Sequence, residues 1–328
     1  MTLTVTGPQL RRLRVSETDA KTIRRLSQAC EQDFKSSESE EFLRAAPVIA
    51  HELPRQVRET MNRARLDETL HAIVVEGHVI DNDALGPTPH HWRDAANDAS
   101  REHGFMLVLY ASLLGDVFGW EAQQDSRIVT DVLPSRGLEY STVSASSELE
   151  LGWHTEDAFC PYRASYVGLY CLRNPGRVAT TIGALAAGAL DEASREILFE
   201  PRFRFRSDAS HERGYGGWEA PQPILRGARD RPTLCIDSDY TQPATGDDLA
   251  ARAFASARTA IERDMYEVVL GPGDVCFLDN QNVVHGRRAF KASYDGQDRW
   301  LKRVNVTRDL RQSAEMRTGP LERVVMSS

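Results

Sequence analysis

The sequence predicts a mainly β protein with a helical N-terminal portion, its β part a β-sandwich or jelly roll. Two observations carry that expectation: short apolar runs punctuated by Gly, Pro, Asp and Asn from Phe118 onward, and amphipathic helical spacing in roughly the first hundred residues. A third is length. At 328 residues the chain suits either two average domains or one β-rich enzyme with embellishments, and the expected arrangement is a single unit, mainly helical over 1–115 with a β core over 116–310.

Taken in order, Ser16 precedes the acidic turn of SETDAKTIRRLSQAC, and Ile23, Leu26 and Ala29 recur at helical spacing, which predicts a capped amphipathic helix. A second helix is expected over Pro54 to Leu66 and a third from about Trp92 to Leu114, with HAIVVEGHVI as a strand between them. Beyond Phe118 the expected strands are DSRIVTDVL, YVGLYCL, VATTIGAL, RPTLCID, YEVVL, GDVCFLDN and RWLKRVNVT. Two helices, AAGALDEASREILFE and DDLAARAFASARTAIERD, interrupt them. SDASHERGYGGWEAPQP is too long and too rich in Gly and aromatics for a simple connection, and loops of that kind are often functional.

The net charge is −8, with acidic and basic residues interspersed and no basic block, so nucleic acid and anionic membranes are poor partners. No window approaches 18 uninterrupted apolar residues, and five scattered cysteines without a Cys-x-x-Cys pair argue for free thiols in a reducing cytoplasm. Cys160, four residues after Glu156, is a candidate to line a site.

The chemistry is concentrated in two distant segments. GWHTEDAF places His154 and Glu156 two apart, which in a strand puts both on one face. Far downstream, GPGDVCFLDNQNVVHGR reads as turn, buried strand, turn, and a second strand carrying His285. Alone, His-x-Glu is a common surface pattern and His285 an ordinary core histidine. Together, two histidines and one carboxylate form the open-faced ligand set of non-haem Fe(II) oxygenases. Such an enzyme needs a two-electron reductant, and a 2-oxoacid with a distal carboxylate would need a fixed cation. Arg299, fourteen residues after His285, and Arg303 share one strand face, and the arginine fork suits a carboxylate.

GWEAQQDSRIVTDV, ELELGWHTEDAFCPYRASYVGLYCLRN, VATTIGAL, CIDSDY, DNQNVVHGR and DGQDRWLKRVNV together resemble the clavaminate synthase-like Fe(II)/2-oxoglutarate oxygenases, within them the hydroxylases of free amino acids. The resemblance spans about Phe118 to Thr307 and implies a double-stranded β-helix, or jelly roll, with flanking helices. It implies His154, Glu156 and His285 as iron ligands, and Arg299 with Thr181 as holders of 2-oxoglutarate, with Thr180 as the alternative to Thr181. It further implies Arg303 at the substrate α-carboxylate, and Gln123 (or Gln124) with Glu156 at the α-amine.

CIDSDY adds Asp237 and Asp239, again two apart and so on one face of a strand, and two such carboxylates would repel unless a cation lies between them, as a guanidinium would. The expected reaction is hydroxylation of L-arginine at Cβ, using Fe(II), 2-oxoglutarate and O2. Lysine, asparagine or another amino acid, C4 hydroxylation, desaturation or ring closure are the alternatives, and a non-catalytic binding protein is the rival class. The resemblance also suggests secondary metabolism such as antibiotic biosynthesis. It further implies an active-site lid over about 207–222, with Trp218 or Tyr215 to close it, and a pocket wall altered at Cys160, where some relatives carry His.

Overall fold

The computed structural model describes residues 3–5, 9–95, 97–141, 143–207, 211 and 217–326. Two sheets face one another. The larger has nine strands and is built around Tyr166–Arg173, which pairs antiparallel with Val275–Asp279 on one side and Trp300–Thr307 on the other. It continues through Ala72–Glu76 and Leu10–Arg14 to Leu3–Val5 at one edge, and through Asp116–Trp120 to Val324–Val325 at the other. The smaller sheet has four short strands in the order Tyr266–Val268, Thr180–Ala184, Val283–Arg287, Leu151–His154.

The two-residue period of a strand decides which layer each side chain joins. In Tyr166–Arg173 every residue is buried. Tyr166 and Tyr170 join the cluster packed against the N-terminal helices, whereas Val167, Leu169 and Cys171 join the cluster between the sheets. The neighbouring strands divide likewise: Phe277, Trp300 and Val304 face the helices, and Cys276, Leu278 and Leu301 face inward with Ile182 and Val283 of the small sheet. That inner layer is the core of the jelly roll, and the site opens from it.

The helices follow their caps. Glu17–Asp33 begins where the Ser16 hydroxyl accepts from the Asp19 N–H at 3.1 Å, and it buries Ile23 and Cys30. Arg55–Leu66 starts after Pro54 as expected. The third expected helix divides into a 3-10 turn, Trp92–Asp94, and a helix over Asp98–Ala111 capped by Asn97; Phe105 to Ala111 of that helix are wholly buried under the large sheet. Glu40–Ile49 is an additional helix. Pro47, a breaker by sequence, sits in its last turn, and the helix ends two residues later at Ile49. Gly77 ends the Ala72–Glu76 strand at φ +106°, and a Cβ there would come within 2.8 Å of the Val15 carbonyl.

The later helices Glu192–Leu198 and Asp248–Arg263 cover the outer side of the small sheet, where a Cβ on Gly183 would meet Ile261 at 2.9 Å. Among the described residues, no helix is long and apolar enough to cross a membrane.

Candidate active site

The small sheet brings the first two ligands together. His285 and His154 are direct partners in an antiparallel pair, so their rings lie side by side with centroids 4.7 Å apart. The strand stops at His154, and Glu156 lies in the turn beyond it rather than on the strand face the spacing suggested. Asn280 carries that turn: its Oδ1 accepts the Glu156 N–H at 2.7 Å, while its Nδ2 donates to the carbonyls of Glu156 and Ala164. The Glu156 Oε2 atom thereby sits 3.4 Å from Nε2 of both histidines.

One donor atom from each of the three residues lies within 4.8 Å of the others. Oε2 is buried without a hydrogen-bond partner, and His154 Nδ1 donates to the Gly152 carbonyl at 2.8 Å, leaving the Nε2 lone pair for a metal. An orphaned carboxylate oxygen between two imidazole nitrogens fits an Fe(II) ion with open positions. Burial works to neutralise Glu156, but the Arg303 charge and the two imidazoles outweigh it and hold the carboxyl well below its usual range. For His154, burial is likewise overcome by Glu156 and Asp237, and its pKa rises to about 9.

The ligands open onto a cavity of ≈420 Å³, a size suited to a small metabolite. The large sheet supplies its cations. Arg299, Leu301 and Arg303 alternate along one edge of the strand pattern and all line the cavity, as the even spacing predicts. Arg303 donates to Glu156 Oε1 at 2.6 Å and to Gln123 Oε1 at 3.1 Å. Arg299 is only 6 % exposed and has no ion pair among the described residues; burial lowers its pKa to about 10, so it stays charged at neutral pH. A buried cation without a counter-ion is costly, and an incoming carboxylate relieves that cost.

Gln123 lines the cavity, and the alternative, Gln124, has both ends of its amide committed to the Asp131 backbone. The placement of Thr181 is corrected. Its strand puts Thr180 opposite Arg287, on the inward face, whereas Thr181 pairs with Gly286 and lies on the other face, outside the cavity lining. Strand parity therefore makes Thr180 the available hydroxyl.

Asp237 and Asp239 are not on one face either. The chain turns at Asp237, whose Oδ1 accepts from the Asp239 and Tyr240 N–H groups, and the turn leaves Asp239 exposed against Gly152 and off the cavity wall. Asp237 does line the cavity, bridged to His154. Burial, with a smaller push from Asp239, raises its pKa to about 6 despite His154 and the two N–H donors. Cys160 is buried away from the cavity; burial pushes its thiol up to about 12 and leaves it inert. Of the expected lid, Tyr215 lies outside the described residues, and Trp218 stacks near Arg206, which lines the cavity.

Three participants had motif positions in the sequence but no visible role: Asn280, Arg287 and Asp157. Asp157 follows Glu156 at φ +54° and takes the Trp120 indole N–H at 2.7 Å, and His211 Nε2 lies 2.9 Å from its other oxygen and 2.8 Å from the Gln123 amide nitrogen. These partners come from segments far apart in the chain, so no local spacing announces them.

A facial set of two histidines and one carboxylate, on a jelly roll with a buried arginine beside it, defines a non-haem Fe(II) oxygenase that uses a 2-oxoacid. Comparison with known proteins agrees. No protein-family model matches the chain. It is 39 % identical over 338 residues to the enduracididine beta-hydroxylase of Streptomyces hygroscopicus, covering 95 % of this chain and 99 % of that one. It is also 39 % identical over 320 residues to the L-ornithine/L-arginine 3-hydroxylase of Catenulispora acidiphila, covering 89 % and 93 %. The crystal structure of the non-heme iron oxygenase OrfP with Fe, succinate and (3S)-hydroxy-L-Arg matches with a TM-score of 0.91 at 35 % identity, over 96 % of this chain and 99 % of that one. The same protein with Fe and alpha-ketoglutaric acid also matches at 0.91.

The chain belongs to the clavaminate synthase-like Fe(II)/2-oxoglutarate-dependent oxygenases, among the amino-acid hydroxylases. It is an Fe(II)/2-oxoglutarate dioxygenase, with O2 as the further substrate.

Proposed function

We propose that this enzyme, acting as one catalytic unit in the cytoplasm, hydroxylates free L-arginine at Cβ, with 2-oxoglutarate consumed to succinate and CO2. The observation that carries the substrate reading is the distribution of charge around the ligand set. Arg303 and Gln123 stand beside Glu156, and the half-buried carboxylate Asp237 stands beside His154, so one cavity offers partners for an α-carboxylate, an α-amine and a cationic tail. The iron and its cosubstrate supply the oxidation of an unactivated C–H bond by O2. The chain's share is position: Arg303 and Gln123 hold the backbone end, Asp237 holds the tail, and Arg299 with Thr180 holds the distal carboxylate of 2-oxoglutarate. The relatives that act on arginine, ornithine or enduracididine at the β-carbon support this regiochemistry.

One observation favours a second reading. With Asp239 turned outward, only one carboxylate of the Asp237/Asp239 pair faces the cavity, and one acid serves ornithine or a cyclised guanidine as well as it serves arginine. Incubating the enzyme with Fe(II), 2-oxoglutarate and each free amino acid, and following succinate and product mass, separates these. Arginine giving the fastest succinate release with a gain of one oxygen is the expected result; a faster reaction with ornithine or with a neutral amino acid would overturn the arginine assignment.

A further inference from the structure

Among the described residues, two buried guanidinium groups of the cavity, Arg287 and Arg299, have no carboxylate partner, and only Arg299 is accounted for. Arg287 follows His285 by two on the strand Val283–Arg287, so it turns to the same inward face, opposite Thr180. It lines the same cavity as Arg299 and is 3 % exposed. Its hydrogen bonds all end on neutral atoms: the Ser147 carbonyl at 3.3 Å, Ser146 Oγ at 2.9 Å and the Leu149 carbonyl at 2.9 Å. The Nε atoms of Arg287 and Arg299 are both buried without partners. Burial, with a smaller push from the Arg299 charge and against a pull from the Glu150 carboxylate, lowers the pKa of Arg287 to about 10; Glu150 itself is paired with Arg288. Arg163 and Arg173, also buried, are spent on backbone carbonyls outside the cavity.

Two like charges held in one water-poor region repel, and an anion placed between or beside them is the economical remedy. We propose that Arg287 is a second positioning cation for the cosubstrate, acting beside Arg299 so that this end of the cavity selects a 2-oxoacid with a distal carboxylate. The inference rests on the assignment of the Arg299 end to 2-oxoglutarate. Its distinguishing consequence is tail selectivity: Arg287 strengthens binding of the distal carboxylate and is indifferent to the 2-oxoacid head.

The test is an anaerobic titration of the Fe(II)-loaded enzyme with 2-oxoglutarate and with 2-oxopentanoate, which has the same head and a methyl group in place of the distal carboxylate, read by visible absorption. R287Q is expected to raise the Kd of 2-oxoglutarate about 10-fold and to leave that of 2-oxopentanoate within about twofold. R287K is expected to recover most of the loss, and S146A, which removes one anchor and keeps the charge, to change neither Kd by more than about twofold. Equal weakening of both ligands in R287Q, or an S146A variant that reproduces the loss, would show that Arg287 only braces the 146–149 segment and would overturn the proposal. If R287Q does not fold, R287K decides: a 2-oxoglutarate Kd within about threefold of wild type supports the proposal, and a weaker one contradicts it. Wild-type enzyme that fails to prefer 2-oxoglutarate over 2-oxopentanoate would instead contradict the assignment of this end to the cosubstrate.

Discussion

The two sheets divide the labour of the site. The small sheet, with strands of three to five residues, carries His154 and His285 and launches the turn of Glu156. The large sheet, anchored by two eight-residue strands and backed by buried helices, carries Arg303, with Arg299 immediately before the same strand. On the proposed assignment, one layer would hold the metal and the other the carboxylates of cosubstrate and substrate. Damage to the two layers should therefore differ in kind: loss of metal on one side, and loss of ligand affinity with metal retained on the other.

The largest expected effect breaks the small sheet. His285→Ala removes one of three ligands, so bound iron and succinate formation should both fall to background, by metal analysis and product assay. The same layer makes metal binding a proton-releasing event. His154, with a pKa of about 9, is protonated at pH 7.5 and must lose that proton to ligate. Calorimetry in buffers of differing ionisation enthalpy should report about one proton released per metal bound, and release of none would contradict this electrostatic picture.

On the large sheet, Arg299→Gln should leave iron content unchanged and raise the KM for 2-oxoglutarate about a hundredfold, the scale expected when one partner of a buried charge pair is removed. A comparable loss of iron would erase the distinction between the layers. Asp237 sharpens the comparison through pH. Its pKa, raised to about 6, means that it is charged above that value and neutral below it, so the KM for arginine should climb as pH falls through 6. Asp237→Asn should raise that KM about 10- to 100-fold and abolish the step, while Asp239→Asn, at an exposed site, should stay within about threefold.

Smaller effects follow. Thr180→Val should raise the KM for 2-oxoglutarate about 3- to 10-fold, and Thr181→Val should leave it near wild type. Ser16→Ala, far from both layers, should cost about 1 kcal/mol of stability by denaturant melting with no change in either KM.

The same contrast explains how much could be read from the sequence. The long strands of the large sheet were legible because their apolar runs exceed what a loop tolerates, and the even spacing of Arg299, Leu301 and Arg303 then fixed their shared face. In the small sheet the margins are narrower. A one-residue uncertainty in a five-residue strand exchanges the faces of Thr180 and Thr181, so parity required the pairing with Arg287 and Gly286 to be seen. Asp237 and Asp239 read as a strand pair only if the strand continues, and the aspartate side chain itself ends it by capping a turn. Asn280 and Arg287 lay within recognised motifs, but their work is done through hydrogen bonds to Glu156 and to residues 146–149, more than a hundred positions away.

The most direct test of the whole account is the fate of labelled oxygen. With Fe(II), 2-oxoglutarate, L-arginine and 18O2, mass spectrometry and NMR should find one labelled atom in succinate and one on Cβ of arginine. Label confined to succinate, or placed on another carbon, would contradict the positioning assigned to Arg303, Gln123 and Asp237.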